Sequence, residues 1–167
     1  MRRWFWMAFL MICALVLQAT LFNYFPVAGV KPDLLLIIVV LYGLLYGKSA
    51  GILGLLYGLA EDLITGRFIG FNAFTKGLMG YFIGLLEPKL FKDHILVPIV
   101  VLLIGTLFYG IISFAVGLLV GYFVPFDLEA FARLMILQSI YNACLAPFLY
   151  GRYYRLSVQR FVSKLRR

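Results

Sequence analysis

Long apolar runs separated by short polar breaks make up most of this chain, and their lengths predict membrane-spanning helices. Strict apolar–polar alternation is missing, which argues against an outer-membrane barrel. Proline, glycine, asparagine and charged residues mark the breaks between the runs. The pattern predicts an all-α integral membrane protein with six transmembrane helices in a compact bundle. The helices are expected at about residues 4–22, 34–46, 50–64, 71–86, 95–124 and 130–150.

The second and third runs allow two interpretations. Residues 34–60 form either one long helix interrupted by Lys48, or two short helices joined at Gly47-Lys48-Ser49. A lysine near the bilayer centre costs roughly 2.5–3.5 kcal/mol. We therefore favour the hairpin, whose helices are short for a full crossing and imply local thinning of the bilayer or tilting of their neighbours.

Composition agrees with a membrane domain and excludes a soluble one. The 167 residues are 64% hydrophobic and 13% charged, with a mean hydropathy of +1.01. No loop is long enough for a separate soluble domain. We expect a six-span domain over residues 1–151 and a basic amphipathic cytoplasmic tail over residues 152–167.

The distribution of basic residues predicts the topology. If both termini are cytoplasmic, most of the 15 Lys and Arg residues lie on the inner side, as the positive-inside rule requires. An odd number of spans would place the basic tail outside. The net charge of +8 is thus explained by topology, and we expect membrane lipids but no nucleic acid as a partner.

The C-terminal segment has a second possible role. Val158, Phe161, Val162 and Leu165 recur at helical spacing among basic residues. This pattern is typical of an amphipathic helix on anionic lipid, each basic residue adding on the order of 1 kcal/mol. Docking of a cytoplasmic partner and a simple topology anchor are the alternatives.

Residues that carry catalysis or bind metal do not form a recognisable set. Cys13 and Cys144 lie in apolar runs, and His94 has no second ligand nearby in the sequence. Glu61 and Asp62 are adjacent, so on a helix they point about 100° apart and make no catalytic carboxylate pair. We expect no enzyme activity, no metal and no cofactor.

Glycines recur at intervals of four residues, as in Gly54/Gly58 and Gly80/Gly84. Small residues at this spacing allow helix backbones to approach closely in lipid. Internal packing of the bundle is favoured over a homodimer face, and a partner helix is a further alternative.

Polar residues converge on the predicted outer end of the bundle. Lys76 lies too deep in the fourth span to be fully solvated, so it needs a partner. The cluster is either an ion pair that pins three helix ends or a ligand site. Its expected members are Asp33, Glu61, Asp62, Arg67 and Lys76, with Asp33, Glu61 or Asp62 pairing with Lys76.

Two stretches resemble the rod shape-determining protein MreD family. They are Pro32-Asp33-Leu34-Leu35-Leu36 and the glycine-rich pattern over residues 51–73, which continues as Lys76-Gly77-Leu78-Met79-Gly80. The resemblance implies a fold similar to the substrate-binding S components of energy-coupling-factor transporters. The positions carried over from the family are Asp33, Asp62, Gly66 and Gly70.

The resemblance also implies a function. Such a protein is a non-enzymatic scaffold of the bacterial cell-elongation machinery in the cytoplasmic membrane. MreC is the expected partner, with MreB, RodA and a class B penicillin-binding protein in the wider complex. The alternative is a small-molecule-binding membrane subunit. A cluster open to the outside would favour binding, and direct pairing that fills it would favour scaffolding.

Overall fold

A computed structural model describes residues 2–20, 29–65, 68–90, 96–121 and 128–165. All the regular elements in these ranges are helices, and no β-strand occurs in them, which confirms the predicted all-α class for this part of the chain. Short 3-10 turns occur at Gly47–Ser49 and Glu87–Lys89. The α-helices are α1 (Arg2–Ala19), α2 (Leu34–Tyr46), α3 (Ala50–Thr65), α4 (Phe71–Leu86), α5 (Leu96–Leu119) and α6 (Leu128–Leu165).

Three helical segments of the described chain are long and apolar enough to cross a membrane. They are Leu34–Thr65, Leu96–Leu119 and Leu128–Tyr150, and a shorter apolar helix covers Met7–Ala19. By length alone, the first segment is a single span of 32 residues that contains both α2 and α3.

The chain folds back within that first segment. Gly47 ends α2 with a φ of +68°, a left-handed value that favours glycine. Asp33 at the start of α2 and Glu61 near the end of α3 both contact the Lys76 Nζ. Since the remote ends of α2 and α3 meet, the two helices are antiparallel, and the predicted hairpin is confirmed. Lys48 is exposed in the turn.

Helix α2 forms the centre of the fold. Its residues from Leu34 to Leu44 are all buried, and it contacts each of the other α-helices in the described chain. A helix that is apolar on every side has no face suited to water and is therefore surrounded by other helices. This central position brings the start of α2, where Asp33 lies, against α4 and α6.

Helices α3 and α4 pack with their backbones in close contact. A Cβ atom added to Gly54 or Gly58 would collide with the backbone of Lys76 or Asn72. The same holds in the other direction, because a Cβ on Gly80 or Gly84 would collide with the backbone of Ala50 or Gly47. These contacts lie between helices of one chain, and they bring the α4 backbone close enough for Lys76 to reach α3.

Two predicted helix ends need correction. The fifth helix ends at Leu119 rather than residue 124, because Gly121 takes a φ of +67° and its N–H bonds back to the Leu118 carbonyl. The sixth helix does not stop at Tyr150 but continues to Leu165, so no break separates the membrane segment from the basic tail. The predicted end of the first helix, at residue 22, lies outside the described residues.

The packing of α3 on α4 makes Gly54→Ala destabilising. The added methyl group has to displace the Lys76 backbone, and we expect the free energy of unfolding to fall by about 1–3 kcal/mol. Gly105→Ala is the matched control, because its Cβ would meet the flexible end of Met79, whose Cε lies 2.9 Å away. Chemical unfolding in detergent micelles measures both. Equal losses for the two variants would contradict this account of the α3–α4 contact.

Candidate functional site

Lys76 is the charged centre of the site. Its Nζ lies 2.8 Å from Asp33 Oδ2 and also contacts Glu61 Oε2, which gives a three-residue ion cluster. The Lys76 side chain is 1% exposed, against 9% for Asp33 and 20% for Glu61. The Tyr109 ring lies near the ammonium group, with 5.7 Å between Nζ and the ring centroid. One lysine thus joins the start of α2, the end of α3 and the second turn of α4.

Helix geometry explains why Lys76 is buried. It lies on the face of α4 that carries Ala73, Gly77 and Gly80, all of which pack inward. An unpaired ammonium group in this position would be strongly unfavourable, whereas two carboxylates compensate for the lost hydration. The cluster holds two carboxylates and one ammonium group, so its formal charge is −1 when all three are ionised.

Asp33 has a second role as the N-cap of α2. Its Oδ1 accepts a hydrogen bond from the Leu36 N–H at 2.8 Å, and its own N–H donates to Asn142 Oδ1 at 3.0 Å. Asn142 in turn donates through Nδ2 to Thr106 Oγ1 at 3.2 Å. Asp33 therefore connects the ion cluster to α6 directly and to α5 through Asn142.

Asp62 points away from Lys76 and caps the start of α4. Its two oxygens accept from the N–H groups of Gly70, Asn72 and Ala73 at 2.9–3.1 Å, and from Asn72 Nδ2 at 2.9 Å. The N-cap position of α4 is Gly70, which has no side chain and a φ of +102°. A carboxylate from the preceding helix thus satisfies N–H groups that the local sequence leaves unpaired.

The ion cluster and the cap are linked through Tyr109. Its hydroxyl donates to Asn72 Oδ1 at 3.3 Å, and Asn72 donates to Asp62. Tyr109 also lies beside the Lys76 ammonium group. Contacts through Tyr109 and Asn72 therefore join the ion cluster to the Asp62 cap.

The structure brings together some of the predicted site residues. Asp33, Glu61 and Lys76 contact one another in the ion cluster, whereas Asp62 accepts hydrogen bonds from backbone N–H groups at the start of α4. Gly80 packs against Ala50 at the start of α3, and Gly84 packs against the Gly47–Ser49 turn, so both lie away from the ion cluster. Gly66 and Arg67 lie outside the described residues.

Three contributors were missed at the level of sequence. Gln18 donates weakly to Asp33 Oδ1 at 3.4 Å, while Thr106 and Tyr109 contribute from α5. Gln18 could have been noticed, because it is a polar residue near the end of an apolar run. Threonine and tyrosine are common within apolar helices, so the sequence gives no such signal for Thr106 and Tyr109.

A cleft of about 330 Å³ adjoins the ion cluster. Its walls come from α1, α3, α6 and the segment before α2. No group of three or more His, Cys, Asp or Glu suited to a metal ion occurs among the described residues. The cleft is lined by Leu15, Gln18, Ala19, Lys31, Pro32, Asp33, Glu61, Ile64, Thr65 and Gln138.

Apolar helices of spanning length, with paired charges buried between them, define a multi-pass α-helical membrane protein. The family model of the rod shape-determining protein MreD matches residues 1–156, and the chain belongs to this family. The resemblance seen in residues 32–84 is thereby confirmed. No curated protein and no solved structure matches the chain.

The cap on α4 gives a residue-level prediction. Asp62→Ala removes the acceptor for three backbone N–H groups, and we expect a loss of about 1–3 kcal/mol in the free energy of unfolding. Hydrogen exchange should accelerate at the amides of Gly70, Asn72 and Ala73, while amides in the second half of α4 stay protected. Asp62→Asn keeps one acceptor oxygen, so its exchange rates at these amides should lie between those of wild type and those of Asp62→Ala. Unchanged exchange at these amides in Asp62→Ala would show that the cap is not needed.

Proposed function

We propose that this chain is a non-enzymatic scaffold subunit of the bacterial cell-elongation machinery. In this role it regulates cell shape and peptidoglycan synthesis together with MreC and MreB. Membership of the MreD family supports a role in rod shape. MreC is the proposed direct partner, and RodA and a class B penicillin-binding protein belong to the proposed wider complex.

The direct pairing of Lys76 is the observation that favours a scaffold over a ligand-binding subunit. Its ammonium group is held by Asp33 and Glu61 and is almost completely buried. Asp62 is likewise occupied by the start of α4. Because these charged groups already hold the ends of α2, α3 and α4 in place, the surface around them is rigid. A rigid surface binds a partner with a smaller loss of conformational entropy.

The proposed topology has six spans, with both termini in the cytoplasm and the ion cluster toward the outside of the cytoplasmic membrane. The bias of Lys and Arg supports it. Antiparallel packing supports it further, since Thr106, Gly110 and Phe114 of α5 meet Asn142, Met135 and Phe131 of α6 in reverse order. A fold like that of S components stays part of the proposal.

The C-terminal part of α6 is the proposed cytoplasmic contact. The helix runs without interruption from Leu128 to Leu165, and its last residues form the basic tail. A helix that continues beyond a span carries its last residues out of the hydrocarbon region, and Pro147 inside this helix is a position at which it bends. The contact proposed for these basic residues is with the cytoskeletal side.

Co-purification with MreC tests the scaffold proposal. The tagged chain is expressed with MreC, extracted from the membrane and purified, and the ratio of the two proteins is measured. We expect wild type and Lys48→Met to retain MreC, because Lys48 is exposed in a turn away from the ion cluster. Asp62→Ala should retain several-fold less MreC, because the α3–α4 corner, where Asp62 near the end of α3 caps the start of α4, loses that cap.

Size-exclusion chromatography of each variant provides the control for folding. A monodisperse wild-type protein that fails to retain MreC would contradict the scaffold proposal. Full retention by Asp62→Ala would leave the scaffold in place but would exclude the α3–α4 corner as the surface that it presents.

A further inference from the structure

Helices α3 and α4 are shorter than the bilayer that they cross in the proposed topology. Each has 16 residues, which gives a length of about 24 Å at the rise of an α-helix. The hydrocarbon core of a typical bilayer is about 30 Å thick. Helix α5 has 24 residues and the apolar part of α6 has 23, so both reach about 35 Å. One side of the fold is thus too short for an ordinary bilayer, and the other side is not.

The two short helices face the lipid. Helix α2 is short as well, but it is surrounded by other helices, so its own length has no effect on the lipid. On α3 and α4, large apolar side chains are exposed along the length of each helix. Examples are Ile52, Leu56 and Leu63 on α3 and Phe74, Phe82 and Leu86 on α4.

The helix pair cannot make up the missing length by moving. The two backbones touch from Gly47 against Gly84 at one end to Gly58 against Asn72 at the other, so the helices lie antiparallel and side by side. Tilting fits a long helix into a thin bilayer, because it shortens the helix along the bilayer normal. The same motion would increase the shortfall of a short helix. The bilayer therefore has to adapt to the pair.

Polar groups mark both ends of the short face. Lys48 and Lys89 are exposed at the two 3-10 turns, and Glu61 and Thr65 lie near the opposite end of α3. Lysine side chains extend toward the headgroups, where the lipid phosphates complement their positive charge. With both ends held at the headgroup layers, the hydrocarbon between them is drawn thinner.

We propose that this chain thins the bilayer locally along α3 and α4, and that phospholipids with short acyl chains gather on that face. The shortfall is about 6 Å. Because α6 packs on α5 and α2, its lipid-facing side belongs to the part of the fold with spans of ordinary length. The inference rests on α3 and α4 each crossing the bilayer, as in the proposed topology, and it is independent of the scaffold role.

Fluorescence quenching by brominated phospholipids measures the lipid preference of each face. Trp4 and Trp6 are replaced by phenylalanine, and a single tryptophan is introduced as Leu56→Trp on α3 or Ile140→Trp on α6. The two positions are matched, because each side chain is 49% exposed and lies in the middle part of its span. The full chain is reconstituted in phosphatidylcholine bilayers whose acyl chains have about 14, 18 or 22 carbons.

The two reporters should give different preferences. We expect Leu56→Trp to favour the shortest lipid over the middle one at least about twofold, and Ile140→Trp to favour the middle one. Lys48→Leu/Lys89→Leu lengthens the apolar face of the short pair. It should therefore move the preference at Leu56→Trp toward longer chains and leave the preference at Ile140→Trp unchanged.

Two results would overturn the proposal. The first is the same chain-length preference at both reporters, and the second is an unchanged preference at Leu56→Trp in Lys48→Leu/Lys89→Leu. Thermal unfolding curves show whether each variant is folded, and Leu59→Trp provides a second reporter on the exposed side of α3. Retention of MreC is measured on the same preparations, so a failure of the scaffold proposal is recognised separately.

Discussion

The fold depends on one buried ammonium group. Because Lys76 is surrounded by helices in a chain that is largely apolar, its charge has to be compensated by nearby carboxylates. Asp33 and Glu61 supply them from the two ends of a segment that is long enough to form a single helix. This requirement favours the fold-back at Gly47 and sets the relative positions of α2, α3 and α4. With these helices in position, α2 is buried at the centre of the fold and packs through apolar contacts against the helices around it.

The second constraint is the close approach of α3 and α4. Glycines at their crossing let the backbones touch, and Asp62 caps α4 from α3. The two features support each other, since a wider separation would carry Asp62 away from the amides of α4 and Lys76 away from Glu61. A corner held in this way has little freedom to rearrange. Rigidity of this kind suits a scaffold and leaves the neighbouring cleft with a fixed shape.

The sequence predicts the short central helices well, because strong signals mark their ends. Pro32-Asp33, Gly47-Lys48-Ser49 and Glu87-Pro88 each interrupt an apolar run, and α2 to α4 begin and end within a residue of the prediction. The converging charges were also predictable from their cost in a membrane. The choice between Glu61 and Asp62 as the partner of Lys76 was not, because neighbouring residues point about 100° apart and tertiary packing decides which one faces α4. The end of α5 was likewise not predictable, because Gly121 lies among apolar residues and hydropathy does not change there.

The stability of charge variants in detergent micelles tests the central claim most directly. We expect Lys76→Met to lower the free energy of unfolding by about 3–5 kcal/mol, since two carboxylates lose their counter-ion. Lys48→Met, at an exposed position, should change it by less than about 0.5 kcal/mol. Neutralising the carboxylates as well, in Asp33→Asn/Glu61→Gln/Lys76→Met, should restore much of the loss. A Lys76→Met protein as stable as wild type would contradict the account, because the fold would then not depend on the buried ammonium group.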